Sequence, residues 1–415
     1  MFRGDIGMTE WQSPKLKDLL IDSNPGFACG EDDPVGVFQF RMNNLNIDGS
    51  LDFSKIRRVP QNKKNLKKFY LQKGDVLFNA TNSPELVGKS AFFPGHSEIA
   101  VYSNHFVRLR PRDDVLEGRY LARWLQAQFR HRVFRGMCRQ WVNQATVSRE
   151  ALLGLSIPLP PIATQKHIAA ILDQAEELRS KRRSAIALLD ELGRSVFLEM
   201  FGDPRTNPKN WDSSTTLGEI ANIASGITKG RKLNGKQTRE ISYLAVVNVQ
   251  DKSLDLNTVK TIDATEDEIN RFLLQGDDLL LTEGGDPDKL GRGTLWNNEI
   301  SECIHQNHIF RVRLTSDTVV PLFLNWLIGS KRGKDYFLKS AKQTTGIASI
   351  NMSQLRGFPM LIPPLELQQQ FAKRMEAIET LKTTHRQSLA KLDSLFNSLQ
   401  SAAFNGELGI ENEEF

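Results

Sequence analysis

Two long stretches of the chain repeat their apolar residues every three and four positions, which is the spacing of a heptad-patterned helix. The first stripe consists of Ile168, Ile171, Ala175, Leu178, Arg182, Ala185, Leu189, Leu192 and Val196. The second stripe consists of Phe371, Arg374, Ile378, Leu381, His385, Ser388, Leu392, Leu395 and Leu399. Each stretch follows a proline pair, which suits a first helical turn, and ends near Gly202 or Gly406. The pattern predicts two helices of about 35 residues, each roughly 50 Å long.

An apolar stripe of this length would be unfavourable in water, so we expect the two helices to pack on each other. Two copies of one unit related by a pseudo-twofold axis would place the helices antiparallel, as a coiled coil. The sequence leaves a second arrangement open, in which each helix buries its stripe only against its own globular domain.

The segments outside these helices show the shorter patterns of a mixed α+β fold. Apolar or alternating runs bounded by Gly, Asp and Asn predict strands at 35–40, 75–80, 241–247 and 308–314. Helical spacing covers 120–134 and 322–337, with Trp124 and Trp326 at matching places. Polar loops at 140–146 and 343–346 precede the proline pairs, and loops on a rigid scaffold often carry recognition.

The two halves of the chain match each other in one register. At a shift of 203 the matching pairs are Pro160-Pro161 with Pro363-Pro364, Gln165 with Gln368, Gly88-Lys89 with Gly291-Arg292, and residues 104–109 with 307–312. Residues 74–77 match 276–279 at a shift of 202. Because this period is too long for a solenoid repeat, it indicates two tandem, diverged copies of one domain.

Composition and charge narrow the class of protein. With 40% hydrophobic residues and a mean hydropathy of −0.38, the chain has no apolar run approaching the roughly 18 residues of a membrane span. The three cysteines are far apart and the first residues lack a signal-peptide pattern, so we expect a cytoplasmic protein. Residues 1–160 carry 23 Lys and Arg against 16 Asp and Glu, with basic runs at 63–68 and 130–139. Such clusters attract polyanions, although any single one could be an ordinary solvated helix face.

The sequence lacks the motifs of catalysis. Gly88-Lys89-Ser90 resembles the end of a phosphate-binding loop, but the glycine required upstream is Ser83. No glycine-rich turn of a dinucleotide or adenosylmethionine pocket follows a predicted strand. Cys303, His305 and His308 lack a fourth ligand for zinc. The sequence therefore predicts a recognition chain with no catalytic or metal-binding residues.

The arrangement of motifs closely resembles the specificity subunit of type I restriction-modification systems over essentially the whole chain. The likeness consists of two variable domains, each closed by a proline pair such as Pro158-Leu159-Pro160-Pro161 with Gln165 and then a long helix, and of the junction Gly202-Asp203-Pro204. The strand entries at 74–77 and 276–279 are also similar to those of such recognition domains. We accordingly expect target recognition domains at 1–157 and 205–360, and helical spacers at 158–204 and 361–410.

The resemblance implies a function and a set of partners. It implies that each domain reads one half of a bipartite double-stranded DNA target, with the paired helices as a ruler between the halves and no membrane involved. A rod of roughly 50 Å would suit readers about one to one and a half DNA turns apart. Since the copies have diverged, the target should be asymmetric. Methylation subunits, expected in two copies, and restriction subunits would bind S-adenosylmethionine, ATP and Mg, with no cofactor in this chain.

Loop position and side-chain chemistry select candidate DNA contacts. Arg and Lys suit guanine edges or phosphates, Asn and Gln suit adenine, and Glu can accept from cytosine. In the first domain the candidates are Asn79, Thr81, Asn82, Lys89, Arg139, Gln140, Asn143, Gln144 and Thr146. In the second domain they are Lys229, Arg231, Glu283, Lys289, Arg292, Gln343, Thr344 and Thr345. For each of them, ordinary surface polarity is the alternative.

Two other classes of protein stay open on the sequence alone. A chain that fuses recognition with methyltransferase or nuclease chemistry would need the catalytic motifs that are missing. A structural coiled-coil adaptor with two protein-binding heads would explain the helices but not the basic first domain. Binding of DNA, with and without a methylation partner, separates these classes.

Overall fold

The computed structural model describes residues 11–62, 65–141, 144–233, 235–286, 289–344 and 347–408. Contacts within the chain divide it into two compact units. Unit 1 extends to Ser184 and resumes at Arg386, whereas unit 2 comprises Ala185–His385. Each unit therefore combines one globular domain with a part of each long helix.

The globular part of unit 1 combines three small sheets with short helices. Its strands are β1 (Leu20–Pro25), β2 (Val37–Phe40), β3 (Arg58–Val59), β4 (Val76–Asn79), β5 (Thr81–Asn82), β6 (Ser90–Phe92), β7 (Ala100–Tyr102), β8 (Phe106–Pro111), β9 (Arg139–Trp141) and β10 (Gln144–Thr146). They form sheets of order β1-β8-β4-β6, β3-β2-β7 and β5-β10-β9. The helices are α1 (Gly118–Arg130), α2 (Val133–Met137), α3 (Arg149–Leu153) and the long α4 (Ile162–Phe201). Phe78, Leu109 and Leu125 lie in the core, where the first sheet meets α1.

Unit 2 repeats this plan. Its helices are α5 (Leu217–Ile220), α6 (Glu266–Phe272), α7 (Pro321–Gly329), α8 (Lys331–Ser340), α9 (Met352–Arg356) and the long α10 (Leu365–Asn405). Its strands are β11 (Ala221–Ser225), β12 (Arg239–Leu244), β13 (Val249–Gln250), β14 (Ser253–Leu254), β15 (Lys260–Ala264), β16 (Leu279–Thr282), β17 (Gly284–Gly285), β18 (Gly293–Leu295), β19 (Cys303–His305), β20 (Ile309–Leu314), β21 (Lys342–Thr344) and β22 (Ile347–Ser349). The sheets β11-β20-β16-β18, β15-β12-β19 and β17-β22-β21 correspond to the three of unit 1. The hairpin β13-β14 corresponds to the antiparallel bridge between Leu45 and Leu51 in unit 1.

The predicted mixed α+β class is confirmed, and the four predicted strands correspond to β2, β4, β12 and β20. Each predicted tryptophan-containing helix is instead two helices, α1 with α2 and α7 with α8. Arg132 interrupts the first with a left-handed φ of 59°, which a continuing helix excludes. Ser330 interrupts the second, because its hydroxyl caps α8 at the backbone N–H of Gly333.

Equivalent ion pairs show which residues of the two copies correspond. Arg110 donates to Asp75 from Nε at 2.7 Å and Nη2 at 2.8 Å, and Arg313 donates to Asp278 in the same way at 2.7 Å twice. Both aspartates are buried, and they lie 203 residues apart. The shift of 202 predicted for this segment is therefore wrong. Gly74 corresponds to Asp277, and both adopt a positive φ, of 100° and 68°, which Asp tolerates better than most residues.

Within each unit, α4 and α10 pack antiparallel, as predicted. In unit 1, Arg179 Nε donates to Asp393 Oδ1 at 2.6 Å, and in unit 2 the equivalent Lys382 Nζ lies 2.7 Å from Asp190 Oδ1. Further along α4 in unit 2, the Phe197 ring packs on Phe371 with centroids 5.5 Å apart. Residue numbers rise along one helix as they fall along the other, so the helices run in opposite directions.

The buried stripe of each helix differs from the predicted one at some alternate positions, whereas Ile171, Ala185 and Ser388 are half-buried as predicted. The predicted residues at 168, 175, 182, 189 and 196 of α4 are buried or half-buried, but Leu178 and Leu192 are 51% and 47% exposed. The covered positions between them fall one residue later, at 172, 179, 186 and 193. In α10, Leu381 and Leu395 are likewise 52% and 51% exposed. The first residue of each predicted pair, heptad position d, was thus correct. Leu178, Leu381 and Leu192 are wrong because the covered residues next to them are the ion-paired Arg179 and Lys382 and Gly193, and Leu395 is wrong because its neighbour Phe396 is the buried one.

Phe396 shows that helix and domain share the stripe in unit 1. Its ring is buried, and the guanidinium carbons of Arg130 from α1 and Arg179 from α4 each lie 4.4 Å from its centroid. The equivalent position in unit 2 is Gly193, where an added Cβ would lie 2.9 Å from Met375 Cε and 3.0 Å from the Trp326 ring. The stripes therefore pack on the partner helix and also on both globular domains: Ile168 of α4 lies in the core of the domain before it, whereas Phe396 of α10 packs on α1 of the first domain. The arrangement in which each helix buries its stripe only against its own domain is therefore wrong.

The glutamine after each proline pair joins a long helix to its domain. Gln165 Oε1 accepts from Glu117 N at 2.9 Å, while Nε2 donates to Val115 O at 2.9 Å and Pro160 O at 2.8 Å. Gln368 makes the same three bonds, displaced by 203 residues, to Val320 N, Thr318 O and Pro363 O. Both glutamines are buried. The proline-glutamine motif is therefore a structural clamp.

His305 makes unit 2 sensitive to acid. The side chain is buried, with Nδ1 3.0 Å from Ile309 O, and burial lowers the pKa of His305 to about 4. As the pH falls below 6.5 the unfolded chain binds a proton at this histidine that the folded chain does not bind until the pH nears 4, so stability is lost across that window. We expect the free energy of unfolding of unit 2 to fall by about 2 kcal/mol more in the native chain than in His305→Gln between pH 7 and pH 5. Urea unfolding at both pH values measures this difference, and equal losses would contradict it.

Candidate nucleic-acid interface

In unit 1 a three-stranded sheet brings most of the predicted DNA contacts together. Strand β10 lies between β5 and β9, so Thr146 is opposite both Thr81 and Arg139. The Thr81 and Thr146 hydroxyls are 3.2 Å apart, and Ala145 faces Asn82 on one side and Gln140 on the other. Residues separated by about 60 positions in the sequence thus lie in one sheet, with Thr81, Thr146 and Arg139 at positions of one face and Asn82 with Ala145 at positions of the other. We name this sheet reader sheet 1, comprising β5, β10 and β9.

The side chains of reader sheet 1 differ in exposure. Arg139 and Gln144 are exposed, and Thr81, Asn82 and Thr146 are half-buried. The backbone of Gln140 belongs to β9, but its side chain lies outside what the structure describes, as does all of Asn143. Arg139 and Gln144 are therefore the described members best placed to reach a ligand from solvent.

Two further candidates of the first domain are buried and engage internal partners. Asn79 Nδ2 donates to Thr81 O and His105 O, both at 3.1 Å, and its Oδ1 accepts from Asn82 at 2.6 Å. Lys89 is 6% exposed and donates from Nζ to Leu45 O at 2.6 Å. Burial lowers the pKa of Lys89. Their geometry favours support of reader sheet 1 over direct contact with DNA, and their assignment as contacts stays a prediction.

Unit 2 contains the corresponding sheet with different side chains. Strands β17, β22 and β21 pair in the register of β5, β10 and β9, and we name them reader sheet 2. Gln343 and Thr344 lie in β21, although the structure describes only their backbone, and Thr345 falls outside the described residues. Glu283 directly precedes β17, and its carboxylate Oε2 lies 2.6 Å from His308 Nδ1. The sequence did not select His308, although its match with His105 in the repeat was visible.

The remaining candidates of unit 2 have separate surroundings. Arg231 donates to both carboxylate oxygens of Glu268, at 2.6 and 2.7 Å, which lowers the pKa of Glu268 to about 2. Arg292 Nη1 donates to Gln250 Oε1 at 3.1 Å, and Lys229 is exposed. Lys289 pairs with Asp286, and its Cβ lies close to Gly285 of reader sheet 2. Reader sheet 2 thus gathers Glu283, Gln343 and Thr344 with Lys289 beside them, while Arg231 supports α6.

The basic run at 130–139 divides into a structural and a solvent-facing part. Arg132, Arg135 and Arg139 are exposed. Arg130 instead packs on Phe396 and donates to Gln400 Oε1 at 3.0 Å, and burial lowers its pKa to about 10. The exposed arginines supply positive charge on the chain segment that leads into reader sheet 1, where a polyanion would be attracted.

Among the residues that the structure describes, no group of three or more His, Cys, Asp or Glu side chains is placed to hold a metal ion. Cys303 is buried, and burial raises its pKa to about 12. Across the described ranges, no helix combines the length and apolarity needed to cross a membrane.

Comparison with known proteins supports the duplication. The family model described as "Type I restriction modification DNA specificity domain" matches residues 8–187 and again residues 208–394. The chain is 25% identical over 386 residues to the type I restriction enzyme StySPI specificity subunit of Salmonella potsdam, covering 89% of this chain and 81% of that one. It is 23% identical over 386 residues to the EcoKI specificity subunit of Escherichia coli, covering 89% and 82%.

Solved structures share the fold. The type I restriction-modification system S subunit from M. genitalium superposes with a TM-score of 0.56 at 14% identity, covering 97% of this chain and 98% of that one. A chain from a structure on complex assembly and conformational transition of the type I restriction-modification system gives a TM-score of 0.52 at 17% identity, covering 96% and 99%.

Proposed function

Because the chain belongs to the family of type I restriction modification DNA specificity domains, we propose that it selects the DNA target of a type I restriction-modification complex. The observation that carries the proposal is the double family match together with two reader sheets of one architecture. Each unit reads one half of a bipartite double-stranded target. The chain itself performs no catalysis.

The two reader sheets differ in the side chains that they place on the same backbone positions. Thr81 and Asn82 of unit 1 correspond to Gly284 and Gly285 of unit 2 at the shift of 203. Ala80 corresponds to Glu283, and Gln144 corresponds to Ile347. Since base edges are distinguished by the donors and acceptors opposite them, unlike side chains read unlike sequences. The two halves of the target are therefore different.

Partner subunits supply the chemistry. We propose that two methylation subunits hold S-adenosylmethionine and that restriction subunits use ATP and Mg, while this chain positions them on the target. Cleavage and methylation then follow from where the two units bind, and the specificity of the whole complex is set by this chain.

The exposed leucines of the long helices are proposed as the docking sites of the methylation subunits. Leu178 and Leu395 of unit 1 each precede a covered seam residue by one position, which puts both on the same flank of an antiparallel pair. Leu381 and Leu192 repeat this pair in unit 2 at the shift of 203. Because the flanking positions of coiled coils usually carry charged residues, leucines there indicate a covering partner. Two equivalent pairs fit two copies of one partner.

Methylation mapping in cells tests the function. Methylated adenines at one bipartite sequence should appear only when this chain is present with its methylation subunits. Arg139→Ala should relax one position of one half-site by about 5- to 150-fold in binding, because a base contact discriminates by roughly 1–3 kcal/mol. Lys342→Ala, at the equivalent position of unit 2, should alter the other half-site or weaken all sequences alike.

The control for these variants is Lys166→Ala on α4, which removes an exposed cation outside both reader sheets. It should leave both half-sites unchanged. Methylation that does not depend on the chain, or a chain that binds its partners but no duplex, would favour a structural adaptor instead. Methyl transfer by the chain alone would favour a fused enzyme.

A further inference from the structure

Glu283 stands at the entrance to reader sheet 2 with its position fixed from several directions. His308 Nδ1 lies 2.6 Å from Glu283 Oε2, and the backbone N–H of Glu283 donates to His308 O at 3.0 Å. The carbonyl of Glu283 accepts from Ile350 N at 2.9 Å. The Glu283 side chain is nevertheless 32% exposed and that of His308 57% exposed. The carboxylate is thus both held in place and open to a ligand.

Unit 1 lacks this carboxylate at the same place. The equivalent of Glu283 is Ala80, which is 7% exposed, although the equivalent histidine, His105, is present. Both positions bond to the histidine backbone in the same way, since Ala80 N donates to His105 O at 2.9 Å. The scaffold is therefore shared, and only unit 2 adds an acidic group to it.

The strand after Glu283 consists of glycines only. Gly284 and Gly285 form β17, where unit 1 has Thr81 and Asn82. A Cβ added at Gly284 would lie 3.0 Å from Ala348 O and 3.2 Å from Ser349 Cβ, so this edge is closely packed underneath. Glycine in a strand often marks a place where a ligand or another backbone approaches closely, and at Gly284 that neighbour is β22 itself. The two glycines have no side chains, so the Glu283 side chain before them is the group at this edge that is available for a specific contact.

A carboxylate facing DNA is repelled by the phosphates unless it accepts a hydrogen bond from a base. An ionised carboxylate only accepts hydrogen bonds. In the major groove, the donors offered by bases are the exocyclic amino groups, N4 of cytosine and N6 of adenine. Guanine O6 and thymine O4 are acceptors and would repel the carboxylate.

We propose that Glu283 determines specificity by accepting a hydrogen bond from an exocyclic amino group of a base, cytosine N4 or adenine N6, in the half-site read by unit 2. This inference rests on the proposed function. His308 is a positioning residue, whose ring N–H aims the carboxylate without touching the base. This hydrogen bond is expected in one half-site only, because Ala80, the equivalent residue of unit 1, has no carboxylate to accept it.

The test pairs protein variants with base analogues. The purified chain with its methylation subunits is titrated with duplexes carrying each of the four bases at every position of the unit 2 half-site. At the position that prefers an amino base, the duplex is remade with 2-pyrimidinone for cytosine or purine for adenine, which lack the amino group. We expect the analogue to weaken native binding on the order of tenfold. The same analogue should cause no further loss in Glu283→Ala, because the contact is already missing.

His308 is tested through rescue. His308→Ala should lower the base preference at that same position, and His308→Asn, which keeps a side-chain N–H, should restore part of it. Glu283→Gln should lose the discrimination against guanine and thymine, because an amide can also donate. Urea unfolding of each variant checks that unit 2 remains folded.

The outcome separates the inference from the function on which it rests. If Glu283→Ala and Glu283→Gln keep the native base ratios at every position while Arg139→Ala changes the other half-site, the carboxylate is a structural group and this inference is overturned. If no variant and no base change alters binding, the proposed function itself fails. The analogue that weakens binding identifies the base as cytosine or adenine.

Discussion

Replacing Leu178 and Leu395 together by glutamate is expected to weaken the docking of one methylation subunit by roughly a hundredfold or more. Both side chains are about half exposed in the chain alone, so a partner that covers them removes further apolar surface from water. Full burial of a leucine contributes about 1.5–3 kcal/mol, and a glutamate in its place adds the cost of burying an unpaired charge. The two substitutions together should therefore reduce the binding free energy by more than roughly 2.7 kcal/mol, which corresponds to a hundredfold change in affinity.

The number of methylation subunits bound per chain is a more direct measurement of this docking than the affinity. Native mass spectrometry of the native complex should show two methylation subunits per chain, and the Leu178→Glu/Leu395→Glu variant should retain one, on unit 2. The pair Leu192→Glu/Leu381→Glu should remove the other subunit. Leu198→Glu is the matched control, because Leu198 is 51% exposed on α4 but its equivalent in α10 is Ser401. A double variant that still binds two methylation subunits with native affinity would rule out this docking surface.

Gln165→Ala is expected to destabilise the junction of α4 with its domain by about 3 kcal/mol, because it leaves buried backbone groups without partners. The amide of Glu117 and the carbonyls of Val115 and Pro160 lose their hydrogen bonds together. The same substitution of Gln368 should have a similar cost in unit 2, since its three bonds are equivalent. Glu117 also caps α1, by accepting from Tyr120 N at 2.6 Å, so the start of that helix should loosen as well.

Amide hydrogen exchange measures this effect locally, which matters because two units need not unfold in one step. Exchange at Glu117 should accelerate about a hundredfold in Gln165→Ala, as expected for roughly 3 kcal/mol. Lys166→Ala and Gln369→Ala, which remove exposed neighbours of the two glutamines, serve as controls. An effect below about 1 kcal/mol, the contribution of one ordinary hydrogen bond, would show that the clamp is not the reason for the motif.

The periodic parts of the chain were predictable from sequence, and the errors have a common origin. Both long helices, the tandem duplication and the strands at 75–80 and 308–314 follow from spacing alone. The predicted seam contained Leu178, Leu381 and Leu192, but the covered residues are their neighbours Arg179, Lys382 and Gly193. An apolar pattern cannot identify a seam position that is filled by an ion pair or by the ring of a neighbouring residue. Tertiary partners decide such positions, and a single sequence does not show them.

The candidate site was predictable as a region but not as a set of side chains. Loop position selected the residues near 80 and near 140 separately, but it did not predict that they share one sheet. The polar loops expected at 140–146 and 343–346 are wrong for the described residues, because β9 and β10 pair with each other and with β5, and β21 pairs with β22. Loop position did not show that Asn79 and Lys89 would be buried, because both residues are polar and lie beside turn signals. It also missed the partner of Glu283, because His308 lies 25 residues away and only the sheet brings the two together.

Phe396 in unit 1 and Gly193 in unit 2 occupy equivalent seam positions, and this difference affects whether one copy of the domain could pair with itself. A truncated chain carrying only the first copy could pair with itself, head against tail, to imitate the missing half. Such a homodimer would set Gly193 where Phe396 stands, and the two guanidiniums that flank that ring would face each other across an empty space. We therefore expect a homodimer of the first copy to be less stable than the pairing within the intact chain, because a cavity would replace the Phe396 ring.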